Sequence, residues 1–371
     1  MKTTVVAIAV MGFGLSVAHA QETVVKLGSV APLTGTISHL GKDNENGAKL
    51  AIEDANTKGI TIGGKKVRFE LIGEDDQADP RTGTTVAQRL VDAGVKGVIG
   101  HLNSGTTIPA SRIYNQAGVP MVSPSATNPT LTRQGYKGVF RTIANDVQQG
   151  SRLGKFIAGD LGAKTVAIID DRTAYGQGLA DETEKAVKAG GAKVVAREFT
   201  TDKATDFNAI LTKIRSIKPD VIFFGGMDAQ AGPMLRQLKQ LGVEAKFVTG
   251  DGGCSPEMIK LSGDAINGSA YCSMPGLAID KMPGGTEFRA RYKARFNADV
   301  QIYSPYAYDA ATAIIKAMQA ANSPEPSKYL PELSKSNFPG VIGTVSFDDK
   351  GDIREGAVTM YRYKDGAWAA M

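Results

Sequence analysis

The chain has 371 residues, of which 42% are apolar and 22% charged, and carries a formal net charge of +5. The apolar share is that of a globular protein, and the length allows two ordinary domains. Basic and acidic residues interleave without a Lys/Arg tract, which argues against a nucleic-acid or anionic-lipid partner.

The chain opens with a short basic start at Lys2, an apolar run from Val5 to Val17, and small residues at Ala18-His19-Ala20 ahead of Gln21. This pattern is expected of a cleaved secretory signal peptide over residues 1–20, because the run is too short to span a bilayer. No Cys follows the cut, so an N-terminal lipid anchor is not expected. The mature chain is expected in the periplasm, with no direct membrane insertion. ATP-driven chemistry is disfavoured there, and capture, sensing or hydrolysis are favoured.

After the leader, short β-branched runs alternate with amphipathic stretches. Strands are predicted at Val24–Val30, Val67–Gly73, Val95–Gly100 and Val119–Ser123, with helices around 41–58, 82–93 and 107–117. This rhythm indicates a parallel sheet covered by helices. It restarts with strands at Lys164–Asp170, Lys193–Phe199, Val221–Gly225 and Lys246–Gly250, and helices at 178–189, 206–216 and 229–241. The expected fold class is α/β, with two doubly wound parallel-sheet lobes.

The remaining helices (286–296 and 305–321) and strands (343–347 and 357–363) are too few for a third domain and are expected to dock on the lobes. The chain then crosses between lobes more than once, at Thr142–Asp146, Ser273–Gly276 and Asp348–Gly351. Parallel crossings make a hinge, and a hinge implies a cleft that opens and closes. The expected division is 21–143 with 275–348 as the N-lobe, and 144–274 with 349–371 as the C-lobe.

Two Cys residues occur, Cys254 and Cys272. In an oxidising compartment an even pair is expected as a disulfide, worth roughly 3 kcal/mol over so short a loop. Two buried free thiols are the alternative.

Enzyme signatures are scarce. The sequence contains no phosphate-binding G-x-x-x-x-G-K-[ST], no G-x-G-x-x-G after the first strand and no G-x-S-x-G elbow. Beyond the leader there are two His residues, His39 and His101. They are too few for a His-rich metal site, and no metal or cofactor is expected. His101 ends a predicted strand and is expected to bond neighbouring backbone. Asp170-Asp171 could hold a cation but reads more simply as a solvated turn.

In open α/β sheets, ligands sit beyond the carboxyl ends of the strands. After the strand at 95–100 comes Asn103-Ser104-Gly105-Thr106-Thr107, a hydroxyl-rich helix start whose free N–H groups suit a carboxylate. After 119–123 comes Ser123-Pro124-Ser125-Ala126-Thr127, which offers the hydroxyls of Ser125 and Thr127. In the second half, Tyr175, Met227 and Asp251 follow three strands. Asp251 suits an ammonium group, the Tyr175 ring can cover a ligand, and Met227 is an adaptable apolar filler. A plain cap or turn is the alternative for each, but together they suit a zwitterion with an apolar side chain.

These segments resemble the leucine/isoleucine/valine-binding proteins of bacterial branched-chain amino-acid ABC transporters, which have the type I periplasmic binding protein fold. The resemblance spans nearly the whole mature chain. It is carried by Val25-Lys26-Leu27-Gly28, Gly41-Lys42-Asp43, Asn46-Gly47-Ala48, Gly97-Val98-Ile99-Gly100-His101-Leu102, Pro124 with Ala126-Thr127, Leu131-Thr132, Tyr175-Gly176 with Gly178-Leu179-Ala180, Gly225-Gly226 with Leu235-Arg236, and Asp349-Lys350-Gly351-Asp352.

The resemblance implies that Ser104, Ser125 and Thr127 hold the α-carboxylate and part of the ammonium. It implies that Tyr175 covers the ligand backbone and that Asp251 stands where leucine-binding members carry a Glu. Leu40, Leu102, Met227 and Tyr303 would surround the side chain. Asp251 is one methylene shorter than Glu, Met227 replaces a Tyr, and Leu40 replaces an aromatic ring. Gln77 and Asn103 occupy the neighbourhood of a familiar N-lobe disulfide.

The implied function is capture of a branched-chain amino acid by a monomer that delivers it to the membrane permease of an ABC importer. The rivals are a ligand-sensing module for a membrane receptor, a periplasmic hydrolase, and a binder of aromatic amino acids, small amides or aromatic acids.

Overall fold

A computed structural model describes residues 22–371. The expected signal peptide lies outside the described residues. The chain starts with β1 (Thr23–Ala31) and α1 (Ser38–Thr57), then β2 (Thr61–Ile62), β3 (Lys65–Asp75), α2 (Pro80–Asp92), β4 (Val98–Gly100), α3 (Ser104–Gln116), β5 (Met121–Ser123) and β6 (Val139–Arg141). The strands form one sheet in the order β2-β3-β1-β4-β5-β6. All pairs are parallel except β2 with β3.

The path steps from β1 to β3 on one side and then returns to β4 on the other. The carboxyl ends of β1 and β4 therefore flank a switch point, where such sheets open a crevice. Gly100 ends β4 at φ 137°, and a Cβ there would meet the backbone of Val30. Glycine is the residue that tolerates both the conformation and the close approach.

The second lobe begins with α4 (Asp146–Lys155), started by a capping box in which Asn145 and Gln148 satisfy each other's backbone N–H groups. There follow β7 (Thr165–Asp170), α5 (Ala174–Ala189), β8 (Lys193–Phe199), α6 (Asn208–Ile217), β9 (Val221–Gly225), α7 (Asp228–Gln240), β10 (Lys246–Thr249), α8 (Pro256–Ser262) and β11 (Ala270–Pro275). α9 (Gly285–Phe296), α10 (Ser304–Ala320), α11 (Pro326–Ser334) and the hairpin of β12 (Asn337–Pro339) with β13 (Thr344–Ser346) lead to β14 (Val358–Lys364) and β15 (Ala367–Ala370).

The second sheet runs β15-β14-β11-β10-β9-β7-β8, so β7 and β9 flank its switch point. β14 and β15 extend it as antiparallel edge strands. α10 returns to the first lobe, and its Ala307, Ala310, Ala311 and Ile314 share a buried core with Leu27, Ala51, Phe69 and Val122.

Three passages join the lobes. The first leads from β6 to α4 and the second follows β11. The third comes after the Asp348–Asp352 turn rather than at it, because the Gly351 carbonyl still accepts from Arg141 N on β6 at 2.9 Å. Asp352 braces the hinge. Its carboxylate accepts from Arg141 Nε at 2.6 Å, Thr132 Oγ1 at 2.8 Å, and Arg133 Nη1 and Asn145 Nδ2 at 3.0 Å.

A further apolar cluster spans both lobes. It joins Leu40 and Leu102 to Tyr175, Met227, Tyr303 and Met360. Cys254 and Cys272 are disulfide-bonded, with Cα atoms 5.4 Å apart, which ties the loop after β10 to β11. No helix among the described residues is long and apolar enough to cross a membrane.

Two sequence expectations are corrected. His101 is fully buried, and its ring bonds side chains rather than backbone: Nδ1 lies 2.9 Å from Asp76 Oδ2 and Nε2 lies 3.0 Å from the Tyr114 hydroxyl. Asp170 and Asp171 are each 2% exposed, so the pair is not a solvated turn. Asp170 pairs with Arg197 at 2.9 Å, and Asp171 accepts from Thr173 N and Oγ1 at the start of α5.

Candidate functional site

The cleft side of the first lobe is built by the segments after β4 and β5. Asn103 caps α3 with its backbone in the extended region, and the carbonyl of Asn103 accepts from the Thr106 and Thr107 hydroxyls. Ser104 then opens the helix, and its Oγ accepts from Asn128 N at 3.2 Å. Ser125 Oγ donates to the Leu102 carbonyl at 3.2 Å and accepts from Asn44 Nδ2 at 3.1 Å.

The loop carrying Ser125 is held from behind. Ser123 Oγ accepts from Ala126 N, while Arg141 donates to the Ala126 carbonyl at 2.7 Å and the Asn128 carbonyl at 3.1 Å. Arg141 is fully buried, so these bonds and the Asp352 pair replace all of its hydration. The hinge brace and the loop of Ser125 are thus one hydrogen-bonded unit.

The second lobe contributes Tyr175 after β7, Met227 after β9 and Asp251 after β10. Asp251 is buried and starts a single 3-10 turn through Gly253. Three side chains donate to its carboxylate: Tyr303 to Oδ2 at 2.7 Å, and Tyr175 and Gln149 to Oδ1 at 2.8 Å and 2.9 Å. Burial pushes the Asp251 carboxyl up from its ordinary value, and the tyrosine hydroxyls oppose the shift. Burial also pushes the Tyr175 and Tyr303 hydroxyls well above the ordinary tyrosine value, so both are neutral donors.

Tyr303 precedes α10 in the first lobe, so its bond to Asp251 crosses the cleft. Asn128 Nδ2 also crosses, donating to the Ala174 carbonyl at 2.6 Å. Leu102, Asn103, Ser104, Ser125, Tyr175, Met227, Asp251 and Tyr303 line one small cavity of about 10 Å³ between the lobes. Gly252 permits the tight packing of the second-lobe side of this cavity, since a Cβ there would meet Met227 Sδ at 2.7 Å and the Tyr175 ring at 2.9 Å.

Of the residues singled out from sequence, Ser104, Ser125, Tyr175, Asp251, Leu102, Met227 and Tyr303 come together on this wall. Leu40 and Thr127 are not on it. Leu40 is fully buried in the shared apolar cluster with Leu102, Met227 and Tyr303. Thr127 is fully buried beside Asp146, and its hydroxyl makes no hydrogen bond to a protein atom.

Sequence reasoning missed Asn103 as a lining residue, Gln149 as a donor to Asp251, and Asp146. Asp146 is buried with neither carboxyl oxygen bonded to a protein atom. Its burial, reinforced by the Asp251 charge and opposed by the Arg141 charge, pushes it up to about 8. It is therefore largely protonated at neutral pH. The signal that could have found Gln149 was the Asn145-x-x-Gln148 capping box, which fixes Gln149 in a first helical turn. Among the described residues, no group of three or more His, Cys, Asp or Glu side chains is placed to hold a metal ion.

The wall sets serine hydroxyls and a helix start in one lobe against a carboxylate and an aromatic ring in the other. Such a site can bind a small molecule with a negative and a positive end. The periplasmic binding protein family matches residues 24–367. A Leu/Ile/Val-binding protein homolog of Brucella abortus is 36% identical over 344 residues, covering 92% of this chain and 91% of that protein. A leucine-, isoleucine-, valine-, threonine- and alanine-binding protein of Pseudomonas aeruginosa is 36% identical, covering 97% and 95% of the two chains. The solved structure of the branched-chain amino-acid transporter substrate-binding protein LivJ of Streptococcus pneumoniae, in complex with isoleucine, is similar with a TM-score of 0.86 and 27% identity. That match covers 94% of this chain and all but 1% of the other, 99%.

Proposed function

The chain belongs to the leucine/isoleucine/valine-binding branch of the periplasmic binding proteins, and on that premise we propose that it captures a branched-chain amino acid between its lobes for an ABC importer. The carrying observation is that Ser104 and Ser125 of one lobe and Asp251 of the other line a single cavity. The start of α3 and the serine hydroxyls receive the α-carboxylate, and Asp251 receives the ammonium. Leu102 and Met227, backed by Leu40, take the apolar side chain.

Each charge-assisted bond contributes about 1.5–3 kcal/mol, and side-chain burial adds roughly 0.8 kcal/mol per methylene. After association costs, micromolar binding is within reach, since 1 μM corresponds to about −8 kcal/mol. An amino acid is larger than the cavity, so the lobes part on the hinge to admit it.

Capture rather than catalysis is supported by how the two His rings are committed. His101 is sealed between Asp76 and Tyr114, and His39 pairs with Asp228. Neither activates Ser104 or Ser125.

In this reading residues 1–20 direct export to the periplasm, and the closed lobes together form the face that meets the permease. We assign 21–143 with 275–348 to the N-lobe and 144–274 with 349–371 to the C-lobe, with the turn through Asp352 kept by the N-lobe, whose β6 it bonds. The two separate sheets support this division.

The test is mass spectrometry of small molecules released by denaturing the purified protein. Leucine, isoleucine or valine is expected. Consistent release of a molecule lacking an α-amino acid group would overturn the reading.

A further inference from the structure

A further polar contact crosses between the lobes beside the ligand cavity and has no part in holding the zwitterion. His39 lies on α1 of the first lobe, next to Leu40. Asp228 opens α7 of the second lobe, next to the cavity residue Met227. His39 Nε2 donates to Asp228 Oδ2 at 2.7 Å. The histidine side chain is 23% exposed and the aspartate side chain is fully buried. The Ser255 hydroxyl, at the start of α8, also donates to Asp228 Oδ2. Asp228 Oδ1 makes no hydrogen bond to a protein atom. Among the described residues, His39 is the one basic side chain within 4 Å of Asp228.

Parting the lobes returns Asp228 to water. Closing them takes a carboxylate out of water, which is costly unless an opposite charge accompanies it. Only protonated His39 supplies that charge. We propose that His39 and Asp228 form a cross-lobe latch that makes closure, and hence ligand affinity, depend on pH. The proposal rests on the reading that an amino acid binds between the lobes.

The groups facing His39 from the packed elements support one direction. Burial lowers its pKa, but the hydrogen bond and charge of Asp228 on α7 outweigh this. Glu257 on α8 adds to the rise, Lys260 on α8 opposes it, and the net shift is upward from the ordinary 6.5. On α1 itself, the Asp43 carboxylate is occupied by the N–H groups of residues 301–304. A raised pKa in the closed state means that closure takes up a proton. The latch is fully engaged below the open-state value of about 6.5 and is lost as pH rises through the closed-state value.

The experiment is calorimetric titration with L-leucine at pH 5.5 and pH 8.5, using the wild type, His39→Gln and Asp228→Asn. His39→Gln keeps a hydrogen-bond donor at a part-exposed position and removes the charge. Wild-type affinity is expected to be about three- to tenfold tighter at pH 5.5, a range typical of a partly solvated ion pair. Both variants should show a ratio at least about threefold smaller than that of the wild type, since any pH dependence from groups other than the latch is common to all three proteins. A wild type without pH dependence, or a variant that keeps the wild-type ratio, would refute the latch. If leucine, isoleucine and valine all fail to bind, the functional reading fails. The latch is then read by small-angle scattering of the unliganded protein: the wild type should be more compact at pH 5.5 than at 8.5, and His39→Gln should not. Equal radii in the wild type would refute the latch independently.

Discussion

Tyr303 and Asp251 come from different lobes and meet at 2.7 Å in the cleft. The contact joins the residue before α10 to the turn after β10, so it can form only when the lobes are closed. Tyr303→Phe removes the donor and leaves the ring. One carboxylate oxygen of a buried Asp251 then has no protein donor, and a hydrogen bond to a charged group is worth about 1.5–3 kcal/mol. We expect leucine affinity to fall about tenfold in calorimetry with little change in thermal stability of the open form. Unaltered affinity would show that the contact does not contribute to closure.

Arg141 carries the link from the hinge to the loop of Ser125. Replacing it with Met leaves Asp352 with the part-exposed Arg133 as its remaining charge partner and the Ala126 and Asn128 carbonyls without their donor. Breaking a buried pair in this way costs about 3–5 kcal/mol. Urea unfolding should show a loss of that size, and a loss under about 1 kcal/mol would contradict the brace.

Asp146 gives a pH dependence of stability with a definite sign. Its folded value of about 8 lies above the unfolded value, ordinarily 3.8. Below the ordinary value both states hold the proton and the group has no effect. Between the two values the unfolded chain ionises first, so stability falls as pH rises, by up to about 1.4 kcal/mol per pH unit. Urea unfolding of the ligand-free protein at pH 4.5 and 7.5 should show a smaller difference in Asp146→Asn than in the wild type. Equal differences would mean that Asp146 ionises freely in the folded state.

Asp352 acts in the opposite direction. Burial raises its pKa, but Arg141, Thr132 and Arg133 more than offset this, and the carboxyl is held below its ordinary value. Its contribution is present above the unfolded value of about 3.9 and is lost as pH falls through the lowered folded one. Asp352→Asn should therefore lose more stability relative to the wild type at pH 6 than at pH 2.5, as read by thermal melts. A constant difference across that range would contradict the assignment.

The strand-end residues were legible because an open parallel sheet confines ligands to the carboxyl ends of its strands. Ser104, Ser125, Tyr175, Met227 and Asp251 each follow a strand that the β-branched runs mark clearly. Leu40 and Thr127 also stand near strand ends, but sequence position does not say which way a side chain turns. Leu40 packs behind the wall, and Thr127 turns toward Asp146. His39 and Asp228 carry no local pattern, and the capping box places Gln149 in a helical turn without showing its partner, because these partners lie in another lobe or 102 or more positions away. His101 was misread for the same reason, since Asp76 and Tyr114 meet it only through packing. The short strands β6 and β11 escaped notice because they run into the hinge passages, where polar and small residues interrupt the apolar run.

The most direct measurement is calorimetric titration of L-leucine into the wild type and into Asp251→Ala, with circular dichroism to verify folding of both. If the acid of the second lobe holds the ammonium while Ser104 and Ser125 hold the carboxylate, the variant binds at least about tenfold more weakly with the same spectrum. A folded Asp251→Ala protein with wild-type affinity would contradict the two-ended site.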